Sequence, residues 1–365
     1  MRILVVCKAL DRPESFILRG LQDLGDSVIV LGSDENSHSA MLREAGVDVR
    51  PFKLSSRLDL LGILRLRRFV RDLKPDVIYA LSNAGLSAAN VGLIGTGVPV
   101  VTYRGTVGHL SWWDPSSWLT FLNPRVSKIV CVSQAVEQHL MELGLPAERV
   151  VTIYKGHDIS WYSAPPPCSR LDLGVPESAF VVGCTAVIRA VKGVDDLITA
   201  CASLLNEIPS LHLLLIGSVK DPVVASLISS FPEPKRIHVT GFRDDATRLA
   251  TLCDVAVMAS KSREGFPKSV VEAMSQGVPA IVTTVGGMPE LVGHGEAGIM
   301  VPPSDPSALA AAIRELASSR ERRTALGLAG KRRIETAFNI RQSVGGMQAL
   351  FSQLAHSGQR EALSS

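Results

Sequence analysis

Apolar residues follow two rhythms along this chain. Unbroken runs rich in branched residues occupy Arg2–Cys7, Ser27–Gly32, Asp76–Leu81, Pro99–Tyr103, Lys128–Ser133 and Val150–Tyr154. Runs without polar alternation predict strands covered on both faces, as in a parallel sheet. Between them, helical spacing covers Glu14–Leu24, Ala40–Ala45, Leu58–Leu73, Leu86–Ile94 and Gln134–Leu143. This alternation predicts a doubly wound α/β sheet, which binds ligands at the carboxyl ends of its strands.

The pattern then starts afresh. Strand-like runs fall at Phe180–Val187, Leu211–Ile216, Ile237–Thr240, Val255–Ala259, Ala280–Thr284 and Gly298–Val301, with helices such as Val194–Leu205 and Thr247–Leu252 between them. Before this restart lies Ala164-Pro-Pro-Pro-Cys168, whose prolines can continue neither helix nor strand. The organisation predicted is a Rossmann-like domain over 1–163, a linker over 164–175 and a second Rossmann-like domain over 176–337. The two domains are expected to face each other across a cleft. Helical patterns at Ser307–Leu316 and Arg320–Ala337 break near Phe338-Asn339, and Ile340–Leu354 is amphipathic. The terminal segment 338–365 is therefore expected to be a separate helix.

Composition supports this and removes other classes. With 365 residues and 46% hydrophobic content, two cores are within reach. A formal net charge of +3, scattered along the chain, does not argue for nucleic acid. No apolar run reaches the ~18 residues of a membrane span. The first residues lack a signal-peptide cleavage site and read as a strand. The six cysteines lack C-x-x-C spacing and sit mostly in apolar runs, which implies buried free thiols and a reducing cytoplasm. Eight scattered histidines with no H-x-x-x-H pair and no D-x-D triplet give no reason to expect a metal site.

The densest chemistry lies in Ser262–Leu291, SREGFPKSVVEAMSQGVPAIVTTVGGMPEL. Pro267 suits a first helical position, Val270, Val271, Ala273 and Met274 form an apolar stripe, and Gly277 stops the helix. Glu264 precedes the helix, and Glu272 lies about a turn and a half inside it, leaning back toward the start. Free amides around Lys268, Ser269 and Val270 offer an anion site. Acids beside an anion site are poor phosphate ligands but good hydroxyl acceptors. A molecule with phosphates between hydroxylated rings, a sugar nucleotide, fits both.

The order E-G-F-P-x-S-x-x-E-A-M, followed by G-x-P-x-I and G-G-x-P-E-L-V, resembles the donor-binding signature of the family-four glycosyltransferases. These are retaining enzymes of the GT-B fold, whose last helix crosses back onto the first domain. The resemblance implies that Glu264 holds the donor sugar and Glu272 the ribose. It implies further donor contacts from Gly265, Phe266, Lys268, Ser269, Val270 and Gly287. Val187-Ile-Arg189-Ala-Val-Lys192-Gly193 resembles the loop in which the family carries its diphosphate-binding pair, here Arg189 and Lys192. Gly241-Phe242-Arg-Asp-Asp245 resembles the turn that meets the nucleobase. Glu290 is either a helix cap or a partner for Arg189.

The first half departs from the family pattern in places. Lys8–Glu14 lacks the Gly-Gly pair that many relatives carry there, and Lys155 replaces an Asn in the closing turn. Where relatives often place a His before a Gly, this chain has Arg104, with His109 five residues on. His109 is either a solvated loop residue or a group near the reacting sugar. Trp112, Trp113 and Trp118 suit sugar rings, an interfacial surface or packing under a loop. Arg65, Arg67, Arg68, Arg71 and Lys74 lie among leucines on one helix. That arrangement is either a solvated crossover helix or a docking face for anionic lipid.

The implied activity is a retaining, metal-independent transfer of a hexosyl group from a UDP- or GDP-sugar to a glycan or lipid-linked glycan. By analogy it serves bacterial surface polysaccharide or lipopolysaccharide synthesis, in the cytoplasm or peripherally on the inner face of the membrane. No cofactor is expected beyond the nucleotide-sugar substrate. A sugar-nucleotide 2-epimerase of the same fold and a non-catalytic nucleotide-sugar-binding module are the competing readings.

Overall fold

The computed structural model describes residues 1–32 and 38–364, with side chains as far as residue 357. It divides into two units, Met1–Gly156 with Ile340–Ser365, and His157–Asn339. The first contains β1 (Arg2–Val6), α1 (Arg12–Asp23), β2 (Ser27–Gly32), α2 (Ser39–Glu44), β3 (Asp48–Pro51), α3 (Leu60–Leu73) and β4 (Val77–Ala80). It continues through α4 (Asn83–Gly92), β5 (Val100–Arg104), α5 (Pro115–Trp118), β6 (Val126–Cys131), α6 (Gln134–Glu142) and β7 (Val150–Thr152). The second opens with β8 (Phe180–Thr185), α7 (Val194–Leu204), β9 (Leu211–Ile216), α8 (Pro222–Ser229), β10 (Ile237–Val239), α9 (Ala246–Leu249) and β11 (Val255–Met258). It closes with α10 (Lys268–Ser275), β12 (Ala280–Thr283), α11 (Met288–Leu291), β13 (Ile299–Val301), α12 (Pro306–Ser318) and α13 (Arg320–Ala337). The last helix, α14 (Ile340–Ser364), belongs to the first unit.

Both sheets are parallel and wound alike, in the orders β3-β2-β1-β4-β5-β6-β7 and β10-β9-β8-β11-β12-β13. Strand order reverses beside β1 in one and beside β8 in the other, leaving a crevice at the carboxyl ends of β1 and β4 or of β8 and β11. Ile3, Leu4, Val5, Val181, Val182 and all of β9 are buried, which explains the unbroken apolar runs. Val344, Met347, Leu350 and Phe351 of α14 join Ile17, Leu18 and Leu21 of α1 in the first core, and Phe351 meets Tyr79 edge-on at 5.5 Å. The carboxyl-terminal helix thus completes the domain that begins the chain.

Several boundaries differ from the sequence expectation. The chain changes units at Gly156/His157 and again at Asn339/Ile340, so residues 157–175 belong to the second unit. Backbone and side-chain bonds hold that segment there: His157 N–H donates to Phe338, and Arg170 pairs with Asp254 at 3.0 Å and donates to the Leu252 and Ala179 carbonyls. The proline run lies inside the unit, not at its border. β3 escaped the apolar pattern because Asp-Val-Arg-Pro is a short polar edge strand whose terminal proline needs no ladder donor. Pro267 is the cap of α10 and not its first residue, with ψ at 111°. Its carbonyl accepts from both Val270 and Val271, which leaves the amides of Lys268 and Ser269 without a partner among the described residues.

All six cysteines are free and all but Cys168 are buried; burial pushes the thiols of Cys7, Cys131, Cys184 and Cys253 up to about 12. Among the described residues, no helix is long and apolar enough to cross a membrane.

Candidate active site

The carboxyl edge of the second sheet is built by mutual backbone contact. After β8 the chain makes a one-turn helix over Ala190–Lys192 and enters α7 through Gly193 at φ 61°. A Cβ on Gly193 would lie 1.9 Å from the Ala259 carbonyl oxygen, so only glycine lets this loop lie against the end of β11. Lys261 N–H donates to Val191 at 2.8 Å, and its ammonium reaches Asp195 at 2.6 Å and Asp196 at 3.2 Å on the first turn of α7. The loop after β12 closes on the same place. Gly286, at φ 56°, would put a Cβ 1.7 Å from the Glu264 carbonyl oxygen, and Gly287 N–H donates to Gly265 at 2.9 Å.

These contacts define where Glu264 points. Its Oε2 accepts from Lys192 Nζ at 2.6 Å and from Ser260 Oγ at 2.8 Å, and the residue is 9% exposed. Ser260 is fully buried and its carbonyl accepts from Thr283 Oγ1 at 2.6 Å, linking the ends of β11 and β12. Arg263, just before the acid, adopts a left-handed φ of 61°, strain of the kind held at functional loops. One carboxylate, one ammonium and one hydroxyl therefore form a satisfied cluster at the strand ends.

The mouth of α10 lies alongside. A small hollow lined by Thr185 of β8 and by Ser269 and Val270 shows that this helix starts beside the end of β8. Among the described residues no side chain caps α10, and its first two amides have no partner. Glu272 is buried within it, and Lys268 Nζ stands 3.5 Å from Glu272 Oε1 across one turn. Phe266 packs edge-on against Phe338 at 4.9 Å, so this aromatic ring anchors the loop. Val270 is buried, with its N–H spent on Pro267, which removes it from the anion site that the sequence placed there.

The predicted cations separate. Lys192 meets Glu264, whereas Arg189 is exposed, in extended backbone, with no ion pair among the described residues. Phe242 presents a ring 74% exposed in the turn after β10, where Gly241 bridges to Gly217 beyond β9. Glu290 lies in α11 but does not cap it.

In the first unit the expected residues take other roles. Arg104 donates to the carbonyls of Thr106 and Gly108 and lies 4.8 Å over the Phe121 ring, so its guanidinium folds its own loop. Trp112 donates to the Leu143 carbonyl at 2.6 Å and packs against Trp118 at 5.2 Å. Arg104 thus spends its donors on carbonyls of its own loop, whereas Trp112 spends its N–H on the carbonyl that ends α6. His109 is exposed at φ 57°, and Trp113 is 95% exposed. Sequence reasoning passed over Ser260, Thr283, Lys261 and the Lys155 cluster. Lys155 pairs with Glu14 at 2.7 Å and Asp11 at 3.1 Å and sits 4.4 Å over Tyr103. Burial pulls its pKa down, but Tyr103, Glu14 and Asp11 outweigh that and hold it above the ordinary lysine value. The substitution of Lys for Asn in the closing turn was the available signal.

The fold is that of a GT-B glycosyltransferase. Residues 169–333 match the family model described as glycosyl transferases group 1, and residues 17–161 that of glycosyltransferase family 4. The chain belongs to this family, whose members work on nucleotide sugars, and it is a glycosyltransferase. It is similar to N-acetyl-alpha-D-glucosaminyl L-malate synthase of Bacillus anthracis, 25% identical over 75% of this chain and 73% of that protein. It is also similar to the sulfoquinovosyl transferase SQD2 of Arabidopsis thaliana, 26% identical over 89% of this chain and 66% of that one. The fold matches HepE of Anabaena, solved with UDP, at a TM-score of 0.79 with 22% identity over 97% of this chain and 100% of that one.

Proposed function

We propose that this chain moves a hexosyl group from a nucleotide diphosphate sugar to a glycan or lipid-linked glycan, with retention and without a divalent ion. The Glu264–Lys192–Ser260 cluster beside the uncapped start of α10 carries this reading. In it, the incoming diphosphate draws Lys192 away from Glu264 and sits on the amides of Lys268 and Ser269, with Arg189 closing over it. Glu264, freed of its ion pair, accepts the donor sugar's hydroxyls, and Glu272 accepts those of the ribose. Gly265 and Gly287 offer close backbone approach, and Phe242 offers a face to the base. His109 and Trp113 are the first unit's candidates for the acceptor side.

Breaking the sugar–phosphate bond builds negative charge on the leaving diphosphate. Fixed cations and amides meet that charge without rearranging, and removing one such group costs about 3–4 kcal/mol, or ~10²–10³ in rate. No covalent nucleophile is invoked: the departing phosphate oxygen takes the acceptor's proton on the same face, which gives retention. HepE has been solved with UDP-glucose, which makes UDP-sugars the first donors to test and GDP-sugars the second. Synthesis of surface polysaccharide or lipopolysaccharide is the process proposed.

The test is donor turnover by Glu264→Gln. A loss of at least ~10²-fold with an unchanged unfolding midpoint is expected; near-wild-type transfer by a folded variant would refute the role. NMR of the anomeric centre in the glycoside product, compared with that of the donor, reads the stereochemistry, and an inverted product would overturn retention.

A further inference from the structure

Helix α3 carries an outer face that a solvated crossover helix does not need. Leu60, Leu61 and Leu64 are 70%, 74% and 62% exposed, and Leu58 just before the helix is exposed too. The inner stripe of Gly62, Ile63, Leu66 and Val70 seats the helix, and these leucines lie outside it. Ile94, just beyond α4, which packs on α3 through Gly92 and Ile63, is exposed as well. Trp113 lies in the same region: Asp114 interacts with Arg57, and the Arg57 carbonyl is held by Ser87 of α4.

The other half of the face is basic. A hollow of about 550 Å³ is lined by Arg67, Arg68, Arg71 and Lys74 with Leu64, and among the described residues no acidic one lines it. Arg68 and Arg71 share a single carboxylate, Asp72, at 3.6 and 3.5 Å, while their side chains remain more than three-quarters exposed. Pairs so long and so wet hold little, which leaves both guanidinium groups available.

We propose that this face docks on an anionic lipid bilayer, the leucines entering the acyl boundary and a headgroup phosphate entering the basic hollow. Charge complementarity and the leucine tip select this occupant: a soluble polyanion gives the leucines nowhere to go. Burying one leucine is worth roughly tenfold in partitioning, and each basic residue near a charged surface about fivefold. The inference deepens the reading of a lipid-linked acceptor, on which its purpose rests, but it is tested without donor or acceptor.

The full chain is sedimented with phosphatidylcholine vesicles and with mixed phosphatidylcholine–phosphatidylglycerol vesicles, at low and high salt. Binding to the mixed vesicles that weakens with salt is expected. Leu61→Ser with Leu64→Ser, and separately Arg68→Glu with Arg71→Glu, should each lower it at least tenfold while UDP-induced stabilisation stays unchanged. Absence of binding, equal binding to neutral vesicles, or binding indifferent to both variants would overturn the proposal. So would a dimer that the leucine variants convert to monomer with vesicle binding intact, since the face would then belong to a second copy. Loss of UDP-induced stabilisation in the intact chain would count against the transferase reading and not against this one.

Discussion

The two sheets share one strand order, yet the helices that leave them are started differently. In the first unit, Asp11, Asp59, Ser82, Asp114 and Ser133 cap α1, α3, α4, α5 and α6 with side-chain oxygens. In the second, α7, α10 and α11 start from Gly193, Pro267 and Gly287 with no side-chain cap. Away from those loops ordinary caps return, with Asp221, Asp305 and Ser319 on α8, α12 and α13. A cap satisfies an amide that would otherwise bind an anion. At α1 the chain has filled that place itself, since Asp11 and Glu14 form a capping box and Lys155 neutralises both. At α10 the place is left open and a cation waits next to it. One topology thus yields a sealed switch point and an open one, and capping chemistry distinguishes them.

The largest effect should come from disturbing the open side. Gly286→Val drives a side chain into the Glu264 carbonyl, moving the acid by about an ångström. A shift of that size costs ~10² or more in rate, with about 1–3 kcal/mol of backbone strain; turnover and unfolding midpoint together check this. On the sealed side, Lys155→Met takes the ammonium away from two partly buried carboxylates, Asp11 and Glu14. A loss of about 3 kcal/mol in unfolding free energy, with UDP affinity unchanged, is expected from denaturant titration. Installing the first unit's solution in the second is a sharper test. Pro267→Asp would cap α10 and place a carboxylate at its mouth. It should weaken UDP-sugar affinity about five- to thirtyfold in calorimetry, while the melting temperature holds or rises.

The smallest effect concerns His212 and His238, stacked with Nδ1 and Nε2 2.9 Å apart beneath the second sheet's edge. Burial lowers both pKa values below the ordinary 6.5, and His238 and Arg236 lower His212 further. The unfolded chain therefore takes up protons first as pH falls. Stability is full above about pH 6.5 and declines below it as pH approaches the folded values. A melting series from neutral to acid should show this fall, and His212→Phe should flatten it; an unchanged slope would remove the pair from the account.

What the sequence determined alone was whatever repeats or carries its own punctuation. Buried strands are continuous apolar runs, so both sheets were legible, as was the break before α14. Glu264 and Glu272 were legible too, because glycine and proline frame them. β3 was not, since an edge strand needs no apolar run. Nor was the division at Gly156, which depends on where Arg170 and His157 find partners. Tertiary structure alone decided that Lys192 and not Arg189 meets Glu264, that Ser260 supports it, that Arg104 folds its own loop and that Trp112 reaches the end of α6. It also decided that Leu61 and Leu64 face outward. The reason is the same in each case: spacing along a chain dictates periodicity and turns, whereas a side chain's partner is set by which distant strand ends the fold brings within a hydrogen bond.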